Sequence, residues 1–376
     1  MILGVVVGDL KIGSSPFILL RDATQAPIFQ MNPDFVPEDG TGLNPLLQNI
    51  WMVIHPPTLF LGYASTLVPF AFLMGGLVTR RYTEWIRPAL PWAIFSAMIL
   101  GMGIIMGAYW AYVTLNFGGY WNWDPVENAV YVPWLILVAA IHTMITFKKS
   151  ATALKTSIVL VILSFILVLY ATFLVRSGVL GDASVHSFTD LGLSGQLLIY
   201  MLFFLVVAVV LSIRAWKHIP TSEKEASVYS REFWIFLGAI TLGLMAFQVI
   251  LPTSIPAWNA LVESFGGISN MAPPADQIEF YTKFQLWFSI AIALLTGVGQ
   301  FFWWQKMDKK ALKEALIMPY VVSVLISAIV IVLAKVYDWK YILIVVSGMF
   351  TIVANAVILA RILKKSTFKL AGGSLA

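Results

Sequence analysis

Runs of about twenty apolar residues, separated by short polar stretches, recur from residue 51 almost to the end of the chain. Nine stand out, at about 51–78, 88–114, 131–147, 154–175, 196–213, 233–251, 285–304, 315–334 and 340–362. A helix rises 1.5 Å per residue, so such a run is long enough to cross the ~30 Å hydrocarbon core of a bilayer. The pattern predicts an all-α fold: a polytopic transmembrane bundle of about nine spanning helices. The first 20 residues hold a weaker apolar stretch, broken by Asp9 and Lys11. It has neither the basic start nor the small-residue cleavage site of a signal peptide, and it reads as a truncated or re-entrant segment. Between the runs lie outer loops at about 20–50, 115–130, 176–195 and 252–284. With no long linker and no strong internal repeat, residues 1–376 read as a single integral membrane domain.

Composition agrees: 59% of residues are hydrophobic and 11% are charged, against roughly 25% charged in a soluble domain. Charge adds direction. Eighteen of the 24 Lys and Arg residues fall in one alternate set of loops, beginning with TRRYTEWIRP and ending with the tail ARILKKSTFK. Basic loops stay cytoplasmic. The N-terminus and the 115–130 loop are therefore expected outside, and the C-terminus inside. The net charge of +5 reflects this bias and implies no nucleic acid partner. There is no cysteine, so the chain forms no disulfide, and any sulfur chemistry must use a partner's thiols.

The outer stretch GGYWNWDPVEN, residues 118–128, carries the most chemistry. Asp124, Pro125 and Glu127 have the spacing of a capping box with proline at the first helical position, which is reason enough for the two carboxylates. The aromatics ask for more. One or two would be ordinary at a membrane interface. Tyr120, Trp121 and Trp123 after the Gly118-Gly119 hinge predict a flat, apolar surface suited to a large planar ligand.

Four histidines occur. His55 opens the first spanning helix in VIHPPTLFLGY, and His186 lies in an outer loop. His142 sits within a membrane helix, where an ionisable group is costly and often functional. His218 is in a basic loop. Each has a plain alternative: a helix-start residue for His55, a hydrogen-bonded core residue for His142. Two outer histidines beside an aromatic surface point to a haem held between two imidazoles. Its propionates need positive or hydrogen-bonding partners. Arg176, at the outer end of a helix and ten residues before His186, is the best placed; otherwise it is an interfacial arginine. No spacing resembles a zinc site, a phosphate loop or a hydrolase triad.

The segment FGGYWNWDPVENAVYVPW resembles the tryptophan-rich WWD signature of haem-handling cytochrome c assembly proteins. LNPLLQNIWMVIHPPTLFLGY and FLVRSGVLGDASVHSF resemble the CcmF branch of that family, the cytochrome c haem lyases of the bacterial Ccm system. The resemblance implies that His55 and His186 ligate the haem being transferred, over a platform made by the tryptophan-rich loop, and that His142 ligates a second, resident haem b. It implies joining of haem vinyl groups to the thiols of a CXXCH segment in apocytochrome c. Haem would come from a CcmE-type haem chaperone, with a CcmH-type thiol-reducing protein among the partners. The site would be the bacterial inner membrane, with the active face periplasmic. Two departures stand out. Phe117 occupies a position where the signature usually has Trp. The chain also resembles the middle of a longer family member, and it has no histidine after His218 to complete a resident haem site. The expectations are a fragment, a split protein whose second chain supplies the missing helices, or a variant that does not hold haem b in the usual way. The competing readings are a haem exporter or relay that forms no bond, and an ion-coupled transporter with His142 as proton relay.

Overall fold

The computed structural model describes residues 5–7, 10–12, 19–23, 26–40, 42–115, 118–147, 153–181, 183–184, 194–221, 227–302 and 308–365. The described part of the N-terminal stretch corrects the re-entrant expectation. β1 (Val5–Val7) pairs antiparallel with β2 (Leu10–Ile12), Val6 opposite Lys11. Two short helices follow, α1 (Leu20–Ala23) and α2 (Pro27–Met31). Then come α3 (Ile50–Ser65), α4 (Leu67–Val78), α5 (Ile86–Thr114), α6 (Pro125–Phe147) and α7 (Ala153–Arg176). The rest is α8 (Ser194–Ala215), α9 (Arg231–Thr253), α10 (Ile255–Ser264), α11 (Gln277–Gly299), α12 (Lys309–Leu333) and α13 (Trp339–Lys365). With α3 and α4 forming one span broken at Thr66, nine segments among the described residues are long and apolar enough to cross a membrane.

Short polar side chains start these helices by accepting from backbone N–H groups that would otherwise be unpaired. Asn49 accepts from Trp51 at 2.9 Å, Ser230 from Phe233 at 3.3 Å and Asp276 from Glu279 at 2.8 Å. The Asp276 cap explains why α11 begins eight residues before its apolar run. Together with α10 it shortens the expected 252–284 loop, most of which is helical.

The central helix is α6. Of its apolar stretch 67% is buried, against 6% for α8, which lies at the periphery. It packs on α5, α7 and α9, with Leu137, Met144, Leu154 and Ile158 among its fully buried contacts. Glycine brings α3 and α5 together. A Cβ on Gly62 would lie 2.7 Å from Leu100 Cα, and one on Gly103 would lie 2.9 Å from Leu59 Cα. Such close backbone approach supplies the dispersion contact that holds helices together where solvent gives no hydrophobic drive. It also brings the first turns of α3 against the last turns of α5, beside the tryptophan-rich loop.

Candidate functional site

The loop's exit into α6 is a capping box. Asp124 Oδ1 accepts from Val126 N at 2.9 Å, and Glu127 Oε2 accepts from Asp124 N at 3.1 Å and Asn122 N at 3.0 Å. Asp124 does more than cap. It is 6% exposed, and the same Oδ1 accepts the Ser184 hydroxyl at 2.7 Å. The start of the α7–α8 loop is thereby tied to the start of α6.

Trp123 has φ +56°, a left-handed conformation that costs a non-glycine residue about 1–2 kcal/mol. Four contacts hold it there. Asn128, one turn into α6 and buried, donates from Nδ2 to Trp123 O at 2.9 Å and to Thr253 Oγ1 of α9 at 3.2 Å. Thr253 Oγ1 lies 3.2 Å from the Tyr281 hydroxyl of α11. The Tyr281 ring stacks on Trp123 with centroids 5.2 Å apart. The ring of contacts closes on itself across three helices.

The aromatic surface is not flat, contrary to the expectation from sequence. Trp121 and Trp123 meet edge to face, at 88°. Tyr120 turns the other way and stacks on Tyr112 of α5 at 4.1 Å and 12°. The left-handed turn at Trp123 swings successive side chains onto different neighbours. The result is two walls, Tyr120–Tyr112–Tyr109 on α5 and Trp121–Trp123–Tyr131–Trp134 on α6. Among the described residues the buried Trp121 Nε1 and Asn128 Oδ1 have no hydrogen-bond partner. A donor and an acceptor left unpaired in this way each cost on the order of 1–3 kcal/mol unless something binds them.

His55 lies in the second turn of α3 rather than at its start, with Pro56 and Pro57 inside the helix. Its Nδ1 donates to the Gly103 carbonyl of α5 at 2.8 Å. A carbonyl only accepts, so Nδ1 carries a proton in this contact, and Nε2 is the ring nitrogen that would meet a metal. The ring lies flat over Gly107, where a Cβ would come within 2.5 Å of Cε1. Trp51, one turn earlier, meets Tyr109 edge to face at 4.8 Å, which joins the histidine helix to the tyrosine wall. Arg176 packs its guanidinium over Phe60, also on α3, at 5.7 Å.

His142 is exposed on the flank of α6, on the stripe that descends from Tyr131 through Trp134 and Val138. Its Nδ1 donates to Val138 O at 2.8 Å, which again reserves Nε2. His186 lies outside the described residues; Ser184, two residues earlier, is the group held by Asp124. The structure thus joins Tyr120 to the α3–α5 pair bearing His55, holds Trp121, Trp123 and Asp124 against the start of α6, and sets His142 apart, along the membrane span. Asn128, Thr253, Tyr281, Gly107 and Ser184 carry no motif that marks them. Only the first belongs to the signature stretch.

The sequence profile of the "Cytochrome C assembly protein" family matches residues 12–180, from the N-terminal hairpin through the Arg176 end of α7. Over those residues the chain belongs to the cytochrome c assembly family. It is 35% identical over 328 residues to the cytochrome c-type biogenesis protein CcmF of Haemophilus influenzae, covering 86% of this chain and 48% of that protein. To CcmF of Pseudomonas fluorescens it is 39% identical over 253 residues, 67% of this chain and 37% of the other. A solved structure of the cytochrome c heme lyase CcmF superposes with TM-score 0.60 at 27% identity, over 85% of this chain and 46% of that one. The chain therefore spans about half the length of the CcmF relatives it matches.

Proposed function

We propose that this chain acts in cytochrome c maturation as part of a haem lyase, holding haem at the tryptophan-rich end and presenting it to apocytochrome c. The observation that supports this reading is the His55 imidazole, held through Nδ1 by the Gly103 carbonyl, which makes Nε2 the nitrogen that would ligate iron, on a helix joined by Trp51 and Tyr109 to the tryptophan-rich loop. Haem is the substrate. His55 takes one axial position, and His186, whose loop starts at the Ser184–Asp124 bond, takes the other. The two aromatic walls give the macrocycle edges and faces to pack on, the Trp121 indole N–H offers a donor, and Arg176 offers a cation to a propionate.

The bond-forming step is an addition. Each CXXCH thiol of the apocytochrome adds its sulfur to one carbon of a vinyl group and its hydrogen to the other. One C–S and one C–H bond form, and the S–H bond and the vinyl π bond are lost, with no net oxidation. The protein's part is position, and the reactivity lies in haem and thiol. The cysteine-free chain leaves no competing nucleophile of that kind at the site. The substrate's own histidine can then replace one of the two imidazoles and release the product.

His142 would be one of the residues to hold a resident haem b: an exposed imidazole on the membrane flank of α6 with its tautomer set by Val138 O. When bound, such a group would supply an electron carrier. The proposed orientation puts the tryptophan-rich loop at the periplasmic face of a bacterial inner membrane. The proposed partners are a CcmE-type haem chaperone, a CcmH-type thiol-reducing protein and a second chain that completes the bundle.

The test is to produce the chain, with a CXXCH reporter and the remaining maturation proteins, in cells lacking their own lyase. Haem that stays on the reporter after denaturation is the expected result. Haem bound by the chain without attachment would favour the relay reading. Absence of haem from the purified chain would remove both.

A further inference from the structure

Away from that site, one face of α12 reads Lys309, Lys313, Ile317, Tyr320 at helical spacing. These side chains line a cavity of about 590 Å³, almost wholly apolar, closed on its other sides by residues such as Leu294 of α11 and Phe350 of α13. Both lysines stand at one end. From Lys309 to Tyr320 the helix rises roughly 16 Å, about half of the ~30 Å hydrocarbon core and so the depth of one leaflet.

The two ammonium groups are one turn apart, where like charges repel. Among the described residues neither lysine is in an ion pair, and Asp308 Oδ2 is engaged with the N–H groups of Lys310 and Ala311. We propose that the cavity between α11, α12 and α13 is a binding site for an anionic phospholipid, its phosphate between Lys309 and Lys313 and an acyl chain along the apolar wall. The charge asymmetry selects the class. A zwitterionic lipid brings its own ammonium to a position already held by two, whereas an anionic headgroup leaves its charge for the lysines. The basic loops of this end of the bundle place the mouth at the membrane surface, where a headgroup lies.

The purified full chain, delipidated in detergent, is offered phosphatidylglycerol or phosphatidylcholine, and bound lipid is counted by native mass spectrometry. Two surface lysines favour anionic lipid, so one phosphatidylglycerol is expected to be retained over phosphatidylcholine by roughly tenfold or more. Lys309→Gln/Lys313→Gln, both exposed positions, should abolish the preference, and Ile317→Trp should expel either lipid while leaving both charges. Arg80→Gln/Arg81→Gln, in another basic loop, should change nothing. Equal retention of the two lipids, a preference that survives the double lysine variant, or one lost equally in the arginine control would overturn the proposal. So would displacement of phosphatidylglycerol by inorganic phosphate alone.

Discussion

Asn128 Nδ2 donates to the carbonyl oxygen of Trp123, 2.9 Å away, and by that bond a residue inside α6 fixes the conformation of the loop that precedes it. The same nitrogen reaches Thr253 on α9. Removing the amide leaves the Trp123 and Thr253 oxygens to find other partners. Asn128→Ala should therefore destabilise the chain by about 1–3 kcal/mol and shift its tryptophan fluorescence as Trp123 leaves the left-handed region. Tyr281→Phe gives up the hydroxyl's contacts with Thr253 and Asn128 but keeps the stacking and the Asn128–Trp123 bond, so its effect should be the smaller. A larger loss for Tyr281→Phe than for Asn128→Ala would show that the amide is not what holds Trp123.

Gly107→Ala separates stability from site geometry. The added Cβ would stand 2.5 Å from His55 Cε1, so the imidazole must move. Alanine gains up to about 1 kcal/mol in helix propensity, which offsets part of the strain. The expected result is a modest change in melting temperature with loss of the low-spin haem spectrum. Gly75→Ala, where nothing lies within 4 Å, should keep the spectrum and, with the same gain in helix propensity, leave the chain no less stable. A normal spectrum in Gly107→Ala would remove His55 from the ligand set.

Asp124 serves two partners through one oxygen. Asp124→Asn and Asp124→Ser retain an acceptor for Val126 N and should be tolerated, whereas Asp124→Ala should cost about 1–2 kcal/mol. Ser184→Ala removes the inter-loop bond. A double-mutant cycle over the two positions should give a coupling on the order of 0.5–1.5 kcal/mol. Zero coupling would leave Asp124 with the helix start alone.

Replacing His55 or His186 by glycine should open one axial position on the substrate haem. Added imidazole should enter it and partly restore the six-coordinate low-spin spectrum and the yield of cytochrome. His142→Gly, on the membrane flank of α6, should not respond in the same way. An unchanged spectrum and normal maturation in His55→Ala/His186→Ala would end the two-histidine assignment.

The orientation can be read from single cysteines, since the background has none. An impermeant maleimide applied to intact cells should label cysteine at positions 123 and 186, and not at 149 or 310. The reverse pattern would turn the bundle over and take the periplasmic site with it.

The sequence by itself determined the spans and the start of α6. A run of twenty apolar residues has few fates, and a cap such as Asp124 with Glu127 acts within one turn, so both are local and legible. It also marked the tryptophan-rich loop and His55, through residue types rare in a lipid-facing helix. Only the tertiary structure decided how they meet. Flatness was expected of Tyr120, Trp121 and Trp123 because the three rings are close in sequence. Their planes were set instead by Tyr112 on α5 and Tyr281 on α11, and by a left-handed residue that no local pattern requires. The Thr253 that supports Trp123 lies 125 residues from Asn128. Nor does any motif announce that Gly103 gives its carbonyl to His55 while Gly107 gives it room. In a membrane helix every face is apolar, and hydrophobicity does not tell the face that packs on protein from the face that meets lipid. Small residues and single hydrogen bonds make that choice, and they act only once the helices are side by side.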